Sequence, residues 1–151
     1  MAILAVWSEE MITSFDLMWM DCSCHSVDSI STEKTTVHRK HCNIMCAQHD
    51  GHNQVLKSVA AQMELPTVEK LFKLMDSLVS DLKSNEKQFD IQVCDGSRWV
   101  LRIHNSDHSV QKYEGTVYYP DSVKHITEIL LNALQFTDIQ PMLFSWSPEE
   151  E

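Results

Sequence analysis

From Thr13 to Met20 the chain reads TSFDLMWM, with Phe15, Leu17 and Trp19 at alternate positions, the period of a strand that buries one face. DCSCHSVDS then reads as a loop. The run from Ile30 to His38, rich in Thr and Val but poor in apolar residues, predicts a solvent-facing or edge strand. Cys42, Ile44 and Cys46 alternate with His41, Asn43 and Met45, which predicts a further strand with one apolar face, closed by a turn at Asp50-Gly51. Between Gln54 and Leu65 the pattern fits helix and strand alike. After it, Val68, Leu71, Phe72, Met75, Leu78, Val79 and Leu82 form one helical stripe, and Pro66 stands near its start, where a missing amide costs nothing.

Alternation returns at Phe89, Ile91 and Val93 and again at Trp99, Leu101 and Ile103, with Asp95-Gly96 between them, so a hairpin is predicted. A polar HNSDHS turn leads to a third strand through Val110, Tyr113, Val117 and Tyr119, which stops at Pro120-Asp121. Asp121 offers an N-cap for a second helix with Val123, Ile126, Leu130 and Leu134 on its buried face. The apolar tail up to Trp146 is expected to pack back on the domain. The order strands, helix, strands, helix argues an α+β domain over residues 1–146, an antiparallel sheet with two helices packed on one face, followed by an acidic tail over 147–151.

Residues 94–134 of this pattern resemble the C-terminal half of small bacterial proteins of unknown function. Those proteins share an Asp-Gly turn, a W-x-L-x-I strand, a glycine before a Tyr-Pro stop and a closing helix. The matching residues here are Asp95, Gly96, Trp99, Leu101, Ile103, Gly115, Tyr119, Pro120 and Asp121. The resemblance covers about a quarter of the chain and implies the hairpin and the closing helix; it carries no activity.

Composition narrows the function classes. A chain of 151 residues fits one domain that buries roughly two thirds of its unfolded surface without metal or disulfides. Twelve Lys and Arg against 22 Asp and Glu give a net charge of −10, which argues against nucleic acid and anionic membranes and matches a basic protein partner better. No Lys or Arg precedes Lys34 and MAILAVW is too short to span a bilayer, so a cytoplasmic location is expected, with five cysteines as thiols or metal ligands. The three glycines, Gly51, Gly96 and Gly115, stand apart, so phosphate-cradling loops, dinucleotide folds and the G-x-S-x-G elbow are absent.

The densest chemistry is HRKHCNIMCAQHDGH at 38–52, extended upstream by Cys22, Cys24 and His25. Zinc takes four thiolate or imidazole ligands, usually from two close pairs. In a helix, His38, Cys42, Cys46 and His49 share a face. In a strand, Cys42 and Cys46 face the same way about 13 Å apart, at ~3.3 Å per residue, and one ion cannot hold both. The alternation around Ile44 favours the strand, with the cysteines as part of an apolar face. His104, Asp107 and His108 converge on one turn, where a polar turn is the simpler reading. Trp99 is in phase with the core, whereas Tyr118 is out of phase with it and suits a surface contact.

Two expectations follow. The first is a non-catalytic binding protein that inhibits or regulates a protein partner, in the manner of an immunity or anti-defence inhibitor, with Tyr118 and the acidic Glu149, Glu150 and Glu151 as contact residues and no cofactor. The second is a zinc-binding protein, structural or hydrolytic, that uses Cys22, Cys24, Cys42, Cys46 and His49.

Overall fold

The computed structural model describes residues 11–21, 30–84, 97–115 and 122–139. Along the chain these form β1 (Ile12–Asp21), β2 (Thr32–His38), β3 (Asn43–His49), β4 (Val55–Gln62), α1 (Leu65–Ser84), β5 (Ser97–Asn105), β6 (Val110–Gly115) and α2 (Ser122–Leu134). The strands make one antiparallel sheet in the order β4-β3-β2-β1-β5-β6. The class is α+β.

Register explains the layering. Ala61, Ile44, Val37, Phe15, Ile103 and Gln111 stand side by side, one from each strand, and Val59, Cys46, Thr35, Leu17, Leu101 and Tyr113 form the next row. Because side chains alternate between faces, these rows share one surface of the sheet, here called the inner face. The buried residues of this face form a continuous core with Val68, Leu71, Phe72, Met75, Leu78 and Leu82 of α1 and with Ile126, Leu130 and Leu134 of α2. Phe72 meets Phe15 edge-on at 5.5 Å between ring centroids, which fixes α1 over the central strand. Trp99 is buried, and Ile139, beyond α2, is buried too.

One reading of the sequence is corrected and one ambiguity is resolved. β2 is neither an edge nor a solvent-facing strand: it lies between β1 and β3, with Glu33, Thr35 and Val37 buried. Its polar residues are tolerated because they find partners across the strand pair. The Gln48 side-chain amide donates to Glu33 Oε1 at 2.7 Å, and the Thr35 hydroxyl donates to Cys46 Sγ at 3.5 Å. The ambiguous segment after Asp50 is strand β4. Asp50 Oδ1 accepts from the amides of His52 (2.8 Å) and Gln54 (2.9 Å), and Asn53 takes a left-handed φ of 65°, so the turn returns the chain along β3.

The hairpin of β5 and β6 turns through Ser106 to Ser109. There Asp107 Oδ1 accepts from the Ser109 amide (2.9 Å) and hydroxyl (2.6 Å), and His108 has a φ of 72°. Both edges of β5 are occupied, by β1 and β6. The strand expected over Phe89–Val93, the Asp95-Gly96 turn, the Asp121 cap and the tail from Gln140 to Trp146 lie outside the described residues.

Candidate functional site

The strand geometry scatters the cysteine and histidine side chains that their density suggested were together. Cys46 points into the core, and burial pushes its thiol up to about 11. Cys42 sits in the β2–β3 turn with a φ of 51°; its half-buried thiol donates to the Arg39 carbonyl at 3.7 Å. His49 lies opposite Thr32, on the outer face, so Cys46 and His49 face away from each other across the sheet. Among the described residues no group of three or more His, Cys, Asp or Glu side chains is placed to hold a metal ion. Cys22, Cys24, Tyr118, Glu149, Glu150 and Glu151 lie outside the described residues.

Beside Cys42, Arg39 is tied to α1. Arg39 makes a forked contact with Glu69 of α1 (2.7 and 3.3 Å), donates to the Ile12 carbonyl at 3.1 Å and lies over the Phe72 ring at 5.2 Å from its centroid. Its guanidinium holds the Glu69 carboxyl below the usual range. Arg39 therefore fastens the β2–β3 turn to the helix.

The polar constellation that does assemble lies on the outer face. Asp16 points away from the core from the middle of β1, beside Thr36 of β2 and Arg102 of β5 in the register. The Thr36 hydroxyl donates to Asp16 Oδ1 at 2.8 Å, and His104 Nε2 lies 3.2 Å from Oδ2. The Asp16 side chain is 12% exposed and that of His104 39%, so a sheltered carboxylate orients an imidazole whose other edge meets solvent. Thr36 is committed to the carboxylate rather than to the imidazole, so these three do not form a nucleophile and base pair. They bind three adjacent strands together.

Around this centre the described residues of the outer face are mainly cationic. Lys34, Arg98, Arg102 and Lys112 share it with His38, His49 and His104, against Asp16 and Glu114. Both carboxylates are engaged within the sheet, Asp16 as above and Glu114 by Arg98. Lys34, Arg102 and Lys112 have no ion pair among the described residues. Met45 (40% exposed) and the half-buried Met18 and Met20 supply adaptable apolar surface between the charges.

Charge is divided unevenly along the chain. The described residues hold 11 Lys and Arg against 12 Asp and Glu, whereas the whole chain holds 12 against 22. Ten acids and one Lys therefore fall in the remaining segments, and the net charge of −10 says little about the sheet itself. The signal for the outer face is visible in retrospect in the polar phase of TSFDLMWM and SRWVLRIHN. No helix among the described residues is long and apolar enough to cross a membrane. No protein-family model matches the chain, and no curated protein is similar to it.

Proposed function

We propose that the chain is a non-catalytic binding protein that inhibits or regulates a protein partner, and that the partner docks on the outer face of the sheet. The observation that carries this reading is the surplus, among the described residues, of Lys34, Arg102 and Lys112 on a face whose two described carboxylates are already engaged. Such a face fits an acidic patch of a partner. The basic partner suggested by the net charge suits the acid-rich segments beyond the described residues instead. Half-buried methionines between the cations give the contact an apolar component that adapts to the partner's shape.

Affinity capture from the native host tests this with three baits. Wild type is expected to retain a stoichiometric protein that weakens at raised salt, and Lys34→Glu with Arg102→Glu and Lys112→Glu is expected to lose it. A control bait with Lys70→Glu and Lys73→Glu on α1 should keep it. A partner held equally by all three baits, or none at all, sinks the proposal. The alternative, a zinc protein on Cys22, Cys24, Cys42, Cys46 and His49, requires Cys46 to ionise against its burial. Elemental analysis before and after chelation, with melting of both samples, tests that reading.

A further inference from the structure

We propose that β4 is the docking edge for a second copy of this chain, the two β4 strands pairing antiparallel so that two six-stranded sheets join into one. Among the described residues β4 ends the sheet, and it is exposed along most of its length, with Val55 60% and Leu56 44% exposed. The direction of its free hydrogen-bonding groups follows from its pairing with β3. Met63 donates its amide to the Cys42 carbonyl at 2.7 Å, and the register runs unbroken from Gln62–Asn43 to Lys57–Gln48. Hydrogen-bonded pairs alternate in antiparallel sheet, so Lys57, Val59 and Ala61 bond to β3, while Ser58, Ala60 and Gln62 direct their amides and carbonyls to the open edge. Ser58 and Ala60 are also small, which lets a second strand approach.

Exposed edges are usually blunted by charge. On β4 the only charge is Lys57, and its ammonium is drawn to the segment after α2, at 2.8 Å from the Asp138 carbonyl and 3.4 Å from its carboxylate. The opposite edge, β6, is shorter and exposes Lys112 and Glu114.

Charge also selects the occupant. From Gly51 to Met63 there is no Asp or Glu, in a chain that holds 22, so this is the line along which two copies meet with least repulsion. An antiparallel strand pair is two-fold symmetric by construction, as a self-complementary contact must be. Pairing centred on Ser58 sets the His52 end of one strand against Glu64 of the other, and brings Val55 and Leu56 beside the partner copy's Ala61 and Ala60. The strip thus meets a complementary end of itself. The joined sheet carries the cationic outer face twice, although the inference does not depend on what docks there.

Sedimentation velocity on the full chain across a range of concentrations tests it. Wild type is expected to sediment with twice the chain mass, and Ala60→Pro, which removes an edge-facing amide without touching the β3 ladder, as a single chain with unchanged circular dichroism. Ser58→Glu, which puts like charges at the contact without altering the backbone, is expected to do the same and decides the matter should the proline variant misfold. A wild-type chain that stays single at every concentration overturns the proposal. So does a doubled mass that Ser58→Glu leaves intact.

Discussion

Asp16 stands in the middle of the central strand, where a charged group would be costly without compensation. Its two oxygens are used separately, one by Thr36 and one by His104, so replacing the carboxylate by an amide leaves one acceptor where two are used. Asp16→Asn is expected to lower unfolding free energy by about 1–3 kcal/mol in urea titrations. A double-mutant cycle with His104→Gln should show coupling above ~0.5 kcal/mol if the pair acts as a unit, and additive losses if it does not. Cys46 gives a prediction of opposite kind. Its thiol holds its proton up to about 11 in the folded chain against an ordinary value of 9.0, so the folded state binds the proton more tightly. Its contribution to stability is complete below pH 9.0 and is lost as pH rises from there towards about 11. Cys46→Ala should flatten that alkaline decline, and in native protein a thiol reagent at neutral pH should label Cys46 only after unfolding.

At the scale of elements, the joint that matters most is where α1 crosses β1. Phe72 packs edge-on to Phe15 and lies under Arg39, which also grips Glu69, so one ring joins strand, turn and helix. Phe72→Ala is expected to cost about 3–5 kcal/mol, read as a shift of the urea midpoint with unchanged slope. The salt bridge adds a pH signature. The Glu69 carboxyl is held below its ordinary 4.5, so its contribution is present above that value and is lost as pH falls through the lower folded value. Which of these elements the sequence revealed depends on where they are buried. β1, β3 and both helices alternate or repeat with a clear period because each has one buried face. β4 has no such period because an edge strand exposed on most sides has little to bury. β2 was misread because Glu33 and Thr35 are buried against residues of another strand, a compensation invisible locally. The Asp16–His104 contact spans 88 positions, so the outer-face constellation could not be read from spacing. The cysteine and histidine cluster fails for the complementary reason: residues three apart, as Cys46 and His49 are, point to opposite faces once the segment is a strand.

For the whole molecule, the inner face of the sheet and the apolar stripes of both helices belong to one core, and this sets how it should come apart. Trp19 and Trp99, 6% and 2% exposed, report on the sheet, while far-ultraviolet circular dichroism at helical wavelengths reports on α1 and α2. With a shared core the two signals are expected to change together in a single transition, and Ile44→Ala in β3 and Leu130→Ala in α2 should each move both midpoints. Helical signal lost before tryptophan signal would mean that the helices and the sheet are separable units. The same measurement bears on association through β4. A folded dimer that dissociates on unfolding makes the midpoint rise with protein concentration, because mass action favours the associated state. Wild type is therefore expected to show a concentration-dependent midpoint and Ala60→Pro a constant one. A constant midpoint in both would place the stability of this chain within a single copy and leave β4 an open edge.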